Sequence, residues 1–450
     1  MKLYQGFDLK RGDVVALVGA GGKTATMMAL GHELAEAGWR VLATTTTRIS
    51  TEQLEMMPRA LTVDVGAGAI SDALNAERFI FVYGDIRGIK VYGPPLSQIS
   101  WLLDSVDADL LLIEADGARR LPFKAPHNHE PVIPPETTLV IPIAALAVLG
   151  QPLDEDHVYN AQAMIDRFGF YPGSPVKSPW VAQVMRDEMM GLRGVPEQAR
   201  VMIFLNGTPA AGYVRARARL IARLILRSAR VQGVVLGSAR AGDPVVEVQR
   251  PVGAVVLAAG MSTRMGQAKV LLPWLSDKPI LEHIIDQLRT AKVDHIVVVT
   301  GHYADDVRCV AERMGVETVH NPDYAQGEML SSLQAGLRAM PGNIAAAMSV
   351  LGDQPRIESR IVAQVMMAYA EGKGEIIAPS YQRRRGHPIL ISRRFWPELL
   401  ALGTGGAPRD VINAHADQIG YVEVDTDSVL RDVDTMQDYQ QERRNAGLRP

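Results

Sequence analysis

Residues 254–269 read AVVLAAGMSTRMGQAK, and the fold of the second half of the chain turns on how this stretch is parsed. Ala254 to Ala258 is a short apolar run, as expected of a strand buried on both faces in a parallel sheet. It breaks at once into a loop holding Gly260, Ser262, Arg264, Gly266 and Lys269. Glycine permits close backbone approach to a ligand, and loop amides turned inward form an anion-binding concavity. Arg264 offers a forked donor and Lys269 a point charge, the two ways in which a side chain grips phosphate. The spacing A-A-G-x-S-x-R-M-G-x-x-K is far more specific than a lone glycine motif, which is often only a basic surface turn.

Strand and helix patterns alternate onward from this loop. A helix is predicted near 279–291, a strand at 295–300, a helix near 304–313 and a strand at 316–319. A helix near 329–340, a strand at 345–351, a helix near 357–370 and strands near 375–378 and 387–391 follow. Such alternation predicts an α/β sheet with ligands beyond the carboxyl ends of its strands. The first half opens in the same style, with an apolar strand Val14 to Val18, the loop Gly19-Ala20-Gly21-Gly22-Lys23-Thr24, and a helical pattern through Ala37. Further strands are expected at Val41 to Thr44, Phe79 to Tyr83, Leu110 to Ile113 and Val234 to Leu236. The polar, Gly- and Pro-bearing stretch after Gly237 reads as a linker, which divides the chain into domains at 1–237 and 252–450 with 238–251 between them.

Bulk properties agree with two soluble domains. The chain has 450 residues, 47% hydrophobic and 22% charged, with a formal net charge of -3 that gives no global attraction to nucleic acid or acidic membranes. The arginine-rich run Arg215 to Arg230 is interleaved with Leu220, Ile221, Leu224 and Ile225 and is expected to be an amphipathic helix with a solvated basic face. A single cysteine, Cys309, excludes an internal disulfide and fits a reducing compartment. The charged start MKLYQGFDLKRGD lacks the apolar stretch of a signal peptide, and the run around Leu139 to Leu149 is too short for a membrane span. A cytoplasmic location is the expectation.

Several clusters carry possible chemistry. Asp353, in Gly352-Asp353-Gln354-Pro355, follows a buried strand, where a carboxylate is placed either to hold Mg²⁺ or to cap a turn. Asp432 and Asp434 would complete an oxygen ligand set if the fold brings them to Asp353. Gln326 to Leu333 puts small polar groups, Ser331 and Ser332 among them, at a helix start that suits a phosphate, ribose or base edge. Arg383-Arg384-Arg385-Gly386-His387-Pro388 is either an anion-binding loop or an exposed turn.

Taken in order, these motifs resemble the molybdenum cofactor cytidylyltransferase family of the MobA-like nucleotidyltransferase superfamily over residues 252–440. The resemblance implies a Rossmann-like α/β fold and nucleotidyl transfer from an NTP with release of pyrophosphate. By position, Ala258, Ala259, Gly260, Arg264 and Lys269 would hold the triphosphate, with Ser262 and Gly266 also among the nucleotide-binding residues of the loop. Asp353 with Asp432 or Asp434 would bind Mg²⁺, Ser331 and Ser332 would lie near ribose and base, and Arg385, Gly386 and His387 would face a molybdopterin-type acceptor. The Gly-His-Pro loop leans towards CTP, while GTP stays open because the base is chosen chiefly at Ala259.

The first half carries the Gly-Lys-Thr of a P-loop between a strand and a helix, with Leu17 where the first glycine usually stands. Gly19, Gly21 and Gly22 would wrap phosphates of ATP or GTP, Lys23 would reach the β and γ oxygens, and Thr24 with Glu114 or Asp116 would serve a metal. The segment 1–237 also resembles the selenium-dependent hydroxylase accessory family, through V-G-A-G-G-K-T, the threonines 44–47, Ile113 to Ala118 and His127-x-His129-Glu130-Pro131. That resemblance implies a setting in molybdenum hydroxylase maturation, with a hydroxylase apoenzyme as partner. His127 and His129 fit a hydrogen-bonding loop better than a metal site, because too few ligands accompany them. Alternatives are a transferase using another acceptor or GTP, and a non-catalytic cofactor carrier.

Overall fold

The computed structural model describes residues 1–276, 278–326 and 328–449, except for the side chain of Glu328. Gly327, within the helix start read as a ligand contact, lies outside the described residues. The chain divides into two compact units, Met1–Gln249 and Arg250–Pro450. Both are α/β and rich in parallel strands.

The first unit is built on a nine-stranded sheet whose centre is the strand Asp13–Gly19. Leu110–Glu114 pairs with it in parallel on one side and Leu139–Ala145 on the other. Val41–Thr45, Phe79–Tyr83 and Ala60–Thr62 extend the sheet beyond Leu110–Glu114. Arg200–Asn206 and Gly233–Gly237 extend it the other way, again in parallel. Leu139–Ala145, noted above only as too short for a membrane, is therefore a central strand, and Pro142 leaves its mark on it. Pairing with Arg200–Asn206 runs through Val140↔Val201 and resumes at Ile143↔Phe204, as expected around a residue that has no N–H to donate.

The segment read as a linker is not one throughout. Val245–Gln249 is an edge strand antiparallel to Gly233–Gly237, which extends the first unit beyond residue 237. Its Glu247 is fully buried and receives hydrogen bonds from Arg215 and from Arg219, the latter through Nε at 2.8 Å. The helix Tyr213–Ile225 forms as expected, but these two arginines are drawn inward by that carboxylate, so its basic face is only partly solvated. A two-residue alternation this short, containing a glutamate, gives little sign of a strand before its neighbours are known.

The second unit follows the predicted sequence of elements closely. Val252–Ala258 lies at the sheet centre, parallel to His295–Thr300 on one side and Ala346–Leu351 on the other. Glu317–His320 continues beyond His295–Thr300, while Ile389–Ser392 pairs antiparallel with Ala346–Leu351. Ile376–Tyr381 follows, and Ile419–Glu423, absent from the sequence reading, pairs with it in parallel. The helices Ile280–Thr290 and Ser359–Ala370 pack on one face, and Glu328–Ala339 on the other. Buried valines and alanines along Val252–Ala258 serve both faces, as an all-apolar central strand must. Among the described residues no helix is long and apolar enough to cross a membrane.

Candidate active site

In the second unit the loop after Val252–Ala258 is held tightly at its root and open at its tip. A Cβ on Gly301 would stand 2.3 Å from the carbonyl oxygen of Ala259, and one on Gly352 would stand 2.5 Å from that of Leu257. Glycine is therefore needed where the neighbouring strands end. Further along, Ser262 adopts φ +49°, and its carbonyl accepts the N–H groups of Met265 and Gly266 at 3.0 and 3.1 Å. Its hydroxyl accepts the N–H of Lys269 at 3.2 Å, closing the loop upon itself. Nothing lies within 4 Å of the Cβ direction of Gly260 or Gly266, which leaves the approach to the backbone clear.

Lys269 joins the distant parts of the motif. Its ammonium lies 2.6 Å from Asp434 Oδ1 and 3.6 Å from Asp353 Oδ2, while Arg264 reaches Asp434 Oδ2 at 3.1 Å. Asp353 is drawn beside the 432–434 segment by the N–H of Val433, which donates to its carbonyl at 2.9 Å. Burial pushes the Asp353 carboxyl up; Lys269 opposes this, and nearby Asp432 adds to it. The hydrogen bond from Lys269 instead holds Asp434 below the usual carboxylate range. Asp353, Asp434, Lys269 and Arg264 are thus gathered from positions up to 170 residues apart.

The remaining residues occupy separate walls. The N–H of His387 donates to Val429 O at 2.9 Å, and a Cβ on Gly386 would meet that same oxygen at 2.4 Å, so this loop packs backbone to backbone. Burial holds His387 below the ordinary imidazole range, and its Nδ1 faces Ser349 O at 3.4 Å. Arg385 is engaged by Asn413 at 3.2 Å. Ser331 and Ser332 are organised by Asn321, buried, whose amide donates to them at 2.8 and 3.0 Å. Asn321 was missed in the sequence; its only signal is an Asn-Pro pair directly after a strand.

In the first unit Gly19, Gly21 and Gly22 all have positive φ, and a Cβ on them would meet Ile143 O at 2.4 Å, Ala145 Cβ at 2.4 Å and Asn206 Nδ2 at 2.2 Å. Lys23 is buried; its ammonium donates to Gly19 O at 2.7 Å and lies 3.1 Å from Asp116 and 3.9 Å from Glu114. Burial works against its charge, but Asp116 and Glu114 outweigh burial and raise its pKa. Burial pushes Glu114 up despite Lys23, and its carboxylate accepts the Thr24 hydroxyl at 2.8 Å.

Thr24 and Glu114 are thus brought together, while Asp116 faces two lysines. It accepts the N–H of Gly19 at 2.9 Å and lies 3.1 Å from both Lys23 and Lys124, so cations already occupy it. Lys124, unnoticed in the sequence, is buried and carries the network on to Glu130 at 2.9 Å. Asn206, also unnoticed, donates to Gly21 O at 2.7 Å and fixes the loop from the opposite side. The threonine run serves the scaffold, with Thr44, Thr45 and Thr46 donating to the carbonyls of Val82, Glu114 and Val132. His127 and His129 stack with ring centroids 5.8 Å apart. Among the described residues no three His, Cys, Asp or Glu side chains form a ready metal cluster, so the grouping of Asp353, Asp432 and Asp434 is not preassembled. Lys269 stands between Asp353 and Asp434 instead.

Residues 254–419 match the MobA-like NTP transferase domain family, and residues 15–162 match the YqeC protein family. The YqeC protein of Escherichia coli (strain K12) is 30% identical over 197 residues, which cover 44% of this chain and 77% of that protein. The chain belongs to the YqeC family and also carries a MobA-like NTP transferase domain. The molybdenum cofactor cytidylyltransferase of Escherichia coli (strain K12) is 28% identical over 186 residues, 41% of this chain and 92% of that enzyme. Among solved structures, Rv0371c from Mycobacterium tuberculosis H37Rv aligns at 28% identity over 43% of this chain and 97% of its own, with a TM-score of 0.39. The YqeC match thus contains the Lys23–Asp116–Lys124 network, and the transferase match contains Lys269 and Asp353, with Asp434 beyond its end.

Proposed function

We propose that the transferase domain moves CMP from CTP to the phosphate of a molybdopterin-type cofactor, releasing pyrophosphate. The observation that carries this reading is the convergence of Lys269 and Arg264 on Asp434, with Asp353 beside them, at the open end of a glycine-bearing loop. The likeness to a molybdenum cofactor cytidylyltransferase supports the choice of acceptor and of CTP.

The donor chemistry suits a magnesium ion. Asp353 and Asp434 offer only carboxylate oxygens, and the crowding of Asp432 against Asp353 is the kind of like-charge strain that a dication relieves. Asp353 and Asp434, with Asp432 alongside, would hold it. Mg²⁺ there would neutralise triphosphate charge and favour attack at the α-phosphorus.

The chain's own groups do the rest. The Gly260 loop positions the triphosphate, and Lys269 turns from Asp434 towards its oxygens as the ligand enters. An acceptor phosphate oxygen attacks the α-phosphorus, the bond to the β-phosphate oxygen breaks, and pyrophosphate leaves with that electron pair. No side-chain nucleophile is needed, so catalysis is positioning and charge stabilisation by Lys269 and Arg264. His387, neutral near pH 7, adds no charge to the acceptor side.

The YqeC domain is assigned a second nucleotide, ATP or GTP, on the Gly19–Thr24 loop, with Thr24 and Glu114 at its metal and Lys23 at its phosphates. Work on behalf of a molybdenum hydroxylase apoenzyme would join the two activities. Purified protein with Mg²⁺, molybdopterin and CTP, GTP or ATP separately provides the test. Pyrophosphate release with CTP alone is expected; release with GTP alone overturns the base, and no release with any nucleotide overturns the transferase reading.

A further inference from the structure

The YqeC domain carries an open cleft of about 600 Å³ that neither nucleotide reading uses. This is within the range of small-molecule sites. It lies at the carboxyl ends of the parallel neighbours Val41–Thr45 and Phe79–Tyr83, where open α/β sheets bind ligands. The hairpin formed by Asp85–Arg87 and Lys90–Tyr92 makes one wall. Two glycines press that hairpin onto the strand ends. A Cβ on Gly93 would stand 1.5 Å from Thr45 O, and one on Gly84 would stand 2.7 Å from Gly93 O.

The lining defines a ligand class. Pro94 and Pro95 present flat apolar surfaces beside Tyr92, whose ring carries the Arg87 guanidinium 5.1 Å from its centroid, and Thr46, Thr47 and Gln98 present polar groups. Among its charged members, Arg87 is committed to Asp85 at 2.8 Å, which leaves the carboxylate of Asp64 as surplus negative charge. Such a site attracts donors and positive charge and repels anions.

We propose that this cavity binds a planar, donor-rich heterocycle that is neutral or cationic, as a small-molecule site distinct from the phosphate loop. The wall is also wired to that loop. The N–H of Thr46 donates to Glu114 O at 3.1 Å, its hydroxyl donates to Val132 O at 2.7 Å, and the Glu114 carboxylate holds Thr24 at 2.8 Å. Occupancy of the cavity therefore changes nucleotide affinity at the Gly19–Thr24 loop, and this coupling alone rests on the nucleotide reading. Linkage makes the effect reciprocal.

The test uses the full-length protein without nucleotide, titrated with 2,4-diaminopyrimidine and with orotate, a pyrimidine of similar size and opposite charge tendency, by ligand-observed NMR. For so small a ligand, affinity from roughly micromolar to millimolar is expected. Gln98→Trp, which fills the cavity, weakens diaminopyrimidine binding by about tenfold or more, and Asp64→Asn, at an exposed position that does not threaten folding, weakens it by roughly threefold. Orotate binds more weakly than diaminopyrimidine to the unaltered protein. Absence of diaminopyrimidine binding, indifference to Asp64→Asn, or preference for orotate overturns the cavity assignment.

A fluorescent ATP or GTP analogue titrated with and without diaminopyrimidine then reads the coupling. Unchanged nucleotide affinity removes the coupling and leaves the cavity. No analogue binding in the unaltered protein defeats the nucleotide reading, while the first titration still decides the cavity.

Discussion

Lys269 is the side chain on which the transferase site depends, because one ammonium answers two carboxylates that would otherwise repel each other. Asp353→Asn removes charge without removing volume, and transfer should fall by roughly 10²- to 10³-fold with the fold retained, as measured by pyrophosphate release and circular dichroism. Lys269→Ala should both raise KM for the nucleotide and lower kcat, since the proposed mechanism puts the residue at the ground-state phosphates and at the developing charge. An unchanged kcat would remove it from the transition state. His387 supplies the pH dependence. Its folded pKa lies below the ordinary value because burial disfavours the imidazolium. The unfolded chain then binds more protons as pH falls through that ordinary value, so the stability contributed by neutral His387 is present above it and lost below it. His387→Gln should flatten that part of the stability profile, and NMR of the imidazole should place its protonation below the ordinary value. Residues of this kind were legible because their chemistry is unusual for a turn. Asn321, Lys124 and Asn206 were not, because an amide or ammonium at the end of a strand signals nothing until its burial and partners are known.

At the scale of elements, the two loops show which glycines are structural. Gly19→Ala places a Cβ against Ile143 O in a left-handed backbone, and destabilisation of roughly 1–3 kcal/mol is expected in urea melts, together with loss of nucleotide binding in the YqeC domain. The helix Met436–Asn445 begins with Thr435, whose hydroxyl accepts the N–H of Asp438 while the Asp438 carboxylate returns to the Thr435 N–H. This capping box immediately follows Asp434 and fixes the direction of the chain there. Thr435→Ala should cost about 1 kcal/mol in stability and lower transfer activity, checked by thermal melts and single-turnover assays. Strands, loops and helices of the second unit were readable in order because the apolar pattern switches cleanly between runs and helical stripes. Ile419–Glu423 escaped, since its burial depends on Ile376–Tyr381 beside it.

Across the whole molecule, the boundary of the first unit is set by one buried charge. Glu247 is fully enclosed and answered by Arg215 and Arg219, so Glu247→Gln should destabilise the unit by about 3 kcal/mol, a low value for a broken buried pair because Arg219 remains partly in water. A fragment ending at residue 249 should melt cooperatively, and one ending at 237 should not, because it lacks both an edge strand and the partner of two arginines. Equal melting of the two fragments would return 238–249 to the status of linker. The sequence by itself determined two α/β halves, the phosphate-type loop that opens each, and the Lys269, Asp353 and Gly-His-Pro motifs, because periodicity and loop chemistry are local properties. Only the tertiary structure decided that Asp116 answers two lysines, that Lys269 stands between Asp353 and Asp434, and that Glu247 ends a domain, because burial and charge pairing arise between residues far apart in the chain.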